Sequence, residues 1–175
     1  MISTVARNPN AEGHATESAM KGIGLDISAA LIKAQLARQI RSHVASQLYD
    51  ESGTAPEGIA IYLLSDPREI RRARYVGLTT EPRRRLLQHL AAARLWLPDA
   101  MPWWIKSPRL RPLYSWMRDL HRDGGRFPTM VIDSWAATSS EARVAERHRI
   151  YECLARELPL LNVEAERSVK HKASQ

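Results

Sequence analysis

Two tyrosines, Tyr62 and Tyr75, lie in short apolar stretches that predict strands. Gly77 follows Tyr75 by two residues, so a strand would place both on one face of a sheet. Arg85 and His89 are four residues apart, which places them on one face of a helix. Phenol, guanidinium and imidazole groups can transfer protons and stabilise the charge of a phosphate. These five residues therefore favour chemistry on a phosphate ester.

Two further polar residues complete the candidate site. Glu146 lies in the middle of a predicted helix, and Asn162 follows the end of that helix. A single carboxylate suits Mg²⁺ (or Mn²⁺), because Mg²⁺ keeps several of its own waters. Such a cation would act as a Lewis acid on the phosphate and stabilise the leaving oxygen. We expect Asn162 to fix the site by hydrogen bonding.

The candidate residues suggest separate roles. Arg85 would bind a phosphate oxygen, and Gly77 would leave open space beside a tyrosine hydroxyl, where the phosphate can approach closely. Tyr62 is favoured as base or proton relay with Tyr75 as its partner, although the sequence does not separate the two. A free phenol has a pKa of about 10, so a base role requires cationic charge that lowers it. His89 would tune a tyrosine or shuttle a proton.

The combined spacing resembles the GIY-YIG nuclease superfamily. The resemblance covers roughly residues 58–162 and rests on Ala60-Ile61-Tyr62, Tyr75-Val76-Gly77, Arg85, His89, Glu146 and Asn162. It implies a Mg²⁺-dependent endonuclease that acts on DNA, with Glu146 as the metal ligand. It also implies a small antiparallel three-stranded sheet flanked by helices. Ala60 stands where the first box usually has glycine, and the loop with Trp103-Trp104 matches no family element.

The charge of the chain favours a polyanionic partner. The net charge is +7, the pI is about 10.0, and 21 of the 26 basic residues are arginine. Arginine can grip a phosphate with two parallel N–H donors, so nucleic acid is the first expectation. Genomic base composition could also enrich arginine without any function. We expect DNA contacts from Arg71 and Arg72, between the two tyrosine strands, and from Arg84.

Composition excludes several classes of protein. The 175 residues suit one domain with a real core. The longest apolar run, Ile59–Leu64, is too short for a membrane span, which needs about 20 residues. The single cysteine, Cys153, excludes an intrachain disulfide and a cysteine zinc cluster. We therefore expect a cytoplasmic protein without a membrane partner.

Apolar spacing predicts an α+β fold with the order β-β-α-α-β-α after an N-terminal helix. Short apolar runs bounded by turn residues predict the strands, and helical spacing predicts the helices. The expected strands are Ile59–Leu64, Ala73–Thr79 and Thr129–Trp135, and the expected helices are Pro82–Trp96, Leu110–His121 and one that runs from a capping box at Thr138 to Glu157.

The regions outside this fold have simpler predictions. Residues 1–22 are expected to form a flexible tail, and residues 23–57 a helix and linker. The helix, Ile27–Tyr49, would carry an apolar stripe with a period of four residues. Residues 58–163 form the nuclease-like domain, and residues 164–175 are expected to form a second flexible tail.

Two alternatives to an endonuclease remain open. One is a non-catalytic DNA-binding module on the same scaffold. Glu146 weighs against it, because its carboxylate would repel phosphate unless a metal intervened. The other is an adaptor that binds a protein partner through the apolar stripe and the Trp103-Trp104 loop. The oligomeric state is undetermined, with a dimer as one option.

Overall fold

The structure is a computed structural model that describes residues 12–47, 57–97 and 108–162, and the side chains of 28–46, 57–97 and 108–162. It confirms the α+β class, with a three-stranded antiparallel sheet and an N-terminal helix. The elements in chain order are α1 (Glu12–Gln47), β1 (Ile59–Ser65), β2 (Ala73–Thr79), α2 (Pro82–Ala93), a 3-10 turn (Pro108–Leu110), α3 (Arg111–Arg122), β3 (Thr129–Ala136) and α4 (Ser139–Ala155).

The sheet has the order β2-β1-β3, and β1 pairs antiparallel with both neighbours. Tyr62 of β1 lies directly opposite Gly77 of β2, and Leu64 lies opposite Tyr75. Because side chains alternate along a strand, Tyr62, Tyr75 and Gly77 share one face, as the sequence predicts.

The other face of the sheet is an apolar core. Ile61, Leu63 and Val76 pack there with Ile150 and Cys153 of α4. The first turn of α4 is fixed by the predicted capping box, in which the Thr138 side chain accepts from the backbone N–H of Glu141 and the Glu141 side chain accepts from that of Thr138. Its apolar contacts with Ile61, Leu63 and Val76 place α4 over this face of the sheet.

The start of α1 differs from the prediction. The helix begins at Glu12, so the expectation of a tail up to residue 22 is wrong for residues 12–22. The tail was predicted because residues 1–22 hold Asn, Pro, Gly, Ser and Thr and show no apolar period. The segment between Pro9 and Pro56 contains no proline, however, so no proline interrupts a helix there. The predictions for residues 1–11, 48–56 and 163–175 lie outside the described residues.

The chain divides into two compact units between Arg38 and Gln39. The described part of the first unit is entirely helical, and Ile32 of the expected apolar stripe is exposed there. In the second unit, Ile40 and Val44 at the end of α1 are buried, and His43 Nε2 is hydrogen-bonded to the carbonyl of Pro128 at 2.9 Å. The last turns of α1 therefore belong to the fold of the second unit.

The α2 helix ends at Ala93, three residues before the predicted end. Arg94 adopts a left-handed backbone conformation with a φ of 46° and closes the helix. Arg118 of α3 donates hydrogen bonds to the carbonyls of Ala93 and Arg94, where the helix ends. The predicted Trp103-Trp104 loop lies outside the described residues. Every helix in the described ranges is too short or too polar to cross a membrane.

Candidate active site

The phenol of Tyr62 lies across Gly77 in the middle of the sheet. Tyr62 is 0% exposed. A Cβ atom on Gly77 would lie 2.5 Å from the Tyr62 hydroxyl oxygen and 2.6 Å from its Cζ. The space that glycine leaves at residue 77 is therefore filled by the phenol of Tyr62, and a phosphate contact at Gly77 stays a prediction. Glycine is required there because any side chain would displace the phenol.

Arg85 and His89 of α2 both reach the hydroxyl of Tyr62. Arg85 Nε donates to this oxygen at 3.3 Å, and His89 Nε2 is hydrogen-bonded to it at 2.8 Å. The two residues are one helical turn apart, so the helix presents both to the same phenol. His89 is completely buried, whereas Arg85 is partly exposed. The predicted pairing of the tyrosine strand with the Arg-His helix is thus present.

Tyr75 is the tyrosine of the cluster that reaches the surface. Its ring centroid lies 6.3 Å from that of Tyr62 and 5.9 Å from that of His89. Tyr75 is partly exposed, whereas Tyr62 is cut off from solvent. A water or phosphate outside the protein can therefore contact Tyr75 and Arg85 but not Tyr62. This arrangement reverses the order in which the sequence ranked the two tyrosines.

Burial keeps both phenols protonated. It raises the pKa of Tyr62 well above its ordinary value, and Tyr75 raises it further, although Arg85 acts in the opposite direction. Burial also raises the pKa of Tyr75. Arg85 acts to lower the pKa of both phenols, but desolvation outweighs its nearby charge.

His89 is a neutral imidazole in this environment. Burial, assisted by the positive charge of Arg85, lowers its pKa to about 3. A neutral imidazole has one donor and one acceptor nitrogen. Nε2 is engaged with Tyr62, and Nδ1 lies 3.3 Å from the hydroxyl of Tyr114 on α3. His89 can therefore accept a proton from one tyrosine while it donates to another.

Tyr114 belongs to this cluster, although the sequence did not single it out. It is 5% exposed, and its hydroxyl contacts a histidine 25 residues away in the chain. No spacing rule links residues that lie on two different helices. The only signal was a tyrosine among the apolar residues Leu113 and Met117, since a buried tyrosine hydroxyl usually has a hydrogen-bond partner.

Glu146 is the acidic residue of the site. It is partly buried on α4, and its negative charge acts to raise the pKa of Tyr75, so the carboxylate lies within electrostatic range of that phenol. The described ranges contain no group of three or more His, Cys, Asp or Glu residues that could hold a metal ion. A lone carboxylate still fits Mg²⁺, which is often bound by one or two carboxylates together with waters and substrate phosphates.

Asn162 holds the strand that carries Tyr75 and Gly77. Its Oδ1 accepts from the backbone N–H of Val76 at 2.9 Å, and its Nδ2 donates to the Val76 carbonyl at 2.9 Å. The backbone N–H of Leu161 also donates to the carbonyl of Arg74 at 2.7 Å. The segment after α4 thus pairs with the outer edge of β2, and Asn162 holds the β2 backbone between Tyr75 and Gly77.

The three arginines that were predicted to contact phosphate lie on the surface. Arg71 and Arg72 are exposed on the β1–β2 connection, and Arg72 forms an ion pair with Glu69 at 3.2 Å. Arg84 is exposed in the first turn of α2 and pairs with Glu81 at 3.2 Å. Both ion pairs join exposed side chains and are therefore weak, so Arg72 and Arg84 stay available to solvent and their phosphate contacts stay predictions.

Comparisons with known protein families, with curated proteins and with solved structures found no match to this chain.

Proposed function

We propose that this protein is a Mg²⁺-dependent endonuclease that hydrolyses phosphodiester bonds in DNA, of the GIY-YIG type that its residues resemble. The observation that carries the proposal is the hydrogen bond from Arg85 to Tyr62. This bond fixes a partly exposed guanidinium beside the partly exposed phenol of Tyr75. A cation and a hydroxyl held together at the surface are suited to a phosphate and an attacking water.

Arg85 binds the scissile phosphate in this proposal. Its Nε donates to Tyr62, and its terminal nitrogens, which lie close to Tyr75, would donate to phosphate oxygens. The guanidinium then offsets the negative charge that develops on the phosphate in the transition state. The buried Tyr62 and His89 hold Arg85 in place, so its orientation is set before the substrate arrives.

Tyr75 orients the attacking water by hydrogen bonding. Its raised pKa favours the protonated phenol, so orientation fits this residue better than general-base catalysis does. Tyr62 is closed to solvent and serves as a link between Arg85 and His89. This assignment differs from the sequence-based preference for Tyr62 as the base.

Glu146 is the residue that would hold the metal. A Mg²⁺ ion bound there would supply Lewis-acid assistance to the phosphate and to the leaving oxygen. The Glu146 carboxylate near Tyr75 fits this role, because a cation on it would offset a negative charge that otherwise opposes the approach of phosphate.

DNA is the proposed substrate because the chain is strongly basic and rich in arginine. The cytoplasmic location stays a prediction.

Nicking of supercoiled plasmid tests the proposal. We would compare Mg²⁺ with EDTA, and the native protein with Glu146→Ala and Tyr75→Phe. Tyr151→Phe is the matched control, since Tyr151 is an exposed tyrosine on α4. We expect Mg²⁺-dependent nicking that Glu146→Ala abolishes and that Tyr75→Phe lowers by roughly 100-fold, with Tyr151→Phe unchanged.

DNA binding by the same variants separates loss of chemistry from loss of affinity. Binding without cleavage, unchanged by Glu146→Ala across several DNA shapes and metals, would refute the enzyme and favour the non-catalytic binding module.

One observation favours a partner protein as a second candidate function. Leu31 and Ile32 on α1 are 64% and 58% exposed. A strongly apolar helix face that stays exposed would support a contact with another chain. The mass of the native protein in solution, compared with that of a variant with serine at both positions, tests self-association through α1. If both proteins are monomers, α1 does not mediate self-association.

A further inference from the structure

The hydrogen bonds around Tyr62 form a connected path across three elements. Arg85 of α2, Tyr62 of β1, His89 of α2 and Tyr114 of α3 are joined in that order. The last three are at most 5% exposed, so water is not available to replace a missing partner. A buried ring nitrogen without a partner is costly. Each member of the path therefore constrains the next.

The donors along this path have a preferred direction. Arg85 Nε can only donate, so the Tyr62 oxygen accepts from it. The Tyr62 proton is then available to His89 Nε2, which lies at 2.8 Å. If Nε2 accepts, the single proton of the neutral imidazole is on Nδ1, where it can be donated to the Tyr114 oxygen. Hydrogen bonds that run in one direction strengthen one another.

We propose that Tyr114 is a positioning residue of this site. Its hydroxyl accepts a hydrogen bond from His89 Nδ1, which holds the proton on that nitrogen and leaves Nε2 to accept from Tyr62. The Tyr62 oxygen is thereby turned toward Arg85. Tyr114 touches no substrate in this account; it acts through His89 and Tyr62 on the orientation of Arg85. Its catalytic consequence rests on the proposed nuclease function, whereas its effect on His89 does not.

Nitrogen-15 NMR of the His89 ring in the native full-length chain tests the first part directly. The chemical shifts of Nδ1 and Nε2 differ strongly between the protonated and the bare nitrogen. We expect the proton on Nδ1 at pH 7. A ring with its proton on Nε2 would overturn the proposal, and this result needs no variant and no activity.

Tyr114→Phe tests the second part, with Tyr151→Phe on α4 as the matched loss of an exposed hydroxyl. We expect the His89 proton to redistribute between the two nitrogens in Tyr114→Phe and to stay on Nδ1 in Tyr151→Phe. In plasmid nicking, kcat should fall about tenfold, as is typical when a supporting hydrogen bond is removed. KM should stay within twofold, since Tyr114 does not touch DNA.

The outcomes separate this inference from the proposed function. A native protein that does not nick DNA, but whose His89 tautomer responds to Tyr114→Phe, refutes the nuclease and retains the positioning contact. A native protein that nicks DNA, and whose tautomer and kcat are unchanged in Tyr114→Phe, refutes the role of Tyr114 alone. If Tyr114→Phe does not fold, the native His89 measurement decides the question.

Discussion

The two faces of the central sheet are built from alternate residues of the same strands, yet they are held by different forces. On one face, Ile61 and Leu63 pack against α4 through apolar contacts. On the other, Tyr62 is buried as deeply but is joined to Arg85 and His89 by directed hydrogen bonds. Apolar packing tolerates changes that conserve volume, whereas a buried polar network fails when one partner is lost.

This contrast indicates where the fold ends and the site begins. The α4 face needs side chains of suitable size and shape, and several sequences could supply them. The face toward α2 needs a phenol at residue 62, no side chain at residue 77 and an imidazole at residue 89. Such narrow requirements on one face are typical of a functional site rather than of a core.

The sharpest way to separate the two faces is a pair of small changes on neighbouring strands. In Gly77→Ala the added Cβ would lie 2.5 Å from the Tyr62 oxygen, so the phenol must move. We expect at least roughly 100-fold slower nicking, and a loss of about 1–3 kcal/mol in the free energy of unfolding. Plasmid nicking and urea denaturation measure the two effects.

Leu63→Met on the apolar face is the control for that change. It conserves volume, so about 1 kcal/mol or less of stability should be lost, and nicking should be unaffected. Equal effects of the two substitutions on nicking would show that the faces are not functionally distinct.

A lower pH should reduce the stability of the protein through His89 on the hydrogen-bonded face. The unfolded chain protonates His89 below about pH 6.5, whereas the folded chain keeps the ring neutral until about pH 3. The unfolded state therefore binds more protons between these values, and stability falls as the pH falls from 6.5 toward 3. The loss is about 1.4 kcal/mol per pH unit within the window.

His89→Gln removes this titration. Urea denaturation at pH 6.5 and at pH 5 should give a smaller difference for the variant than for the native protein. Some dependence should remain, because burial also lowers the pKa of His121. His148→Gln controls for the loss of an exposed histidine outside the cluster. An undiminished difference in His89→Gln would contradict the buried neutral imidazole.

The edge of β2 should give the smallest effect. Asn162→Ala removes two hydrogen bonds to the Val76 backbone, at a cost of about 1–2 kcal/mol in stability. Because Val76 lies between Tyr75 and Gly77, nicking should slow by roughly two- to fivefold. Thermal denaturation and the nicking assay measure these losses, and unchanged stability would show that Asn162 does not hold the strand.

The sequence predicted local features of this protein better than distant ones. Strand β2 has the predicted bounds, and the capping box at Thr138 begins α4 as expected. Both depend on neighbouring residues. The start of α1 was missed because residues 12–22 show no apolar period, although they are helical. The end of α2 was missed because Arg118, distant in the chain, binds its last carbonyls.

The sequence identified most residues of the candidate site but not how they are arranged in space. Spacing placed Tyr62 and Tyr75 on one face, and Arg85 and His89 on one helix. It could not show that Tyr62 is closed to solvent, because burial depends on how α2 and α3 pack on the sheet. For the same reason it gave no indication of Tyr114, which joins the cluster only through tertiary packing.

Arg85 joins the buried network to the surface, so its replacement tests the central claim most directly. We would measure the nicking rate of Arg85→Lys beside that of the native protein, in Mg²⁺ and at saturating DNA. Lysine keeps the charge but cannot donate from an Nε to Tyr62 while two terminal nitrogens bind phosphate. The account predicts a rate roughly 100-fold lower, with DNA affinity retained. A rate equal to that of the native protein would contradict it.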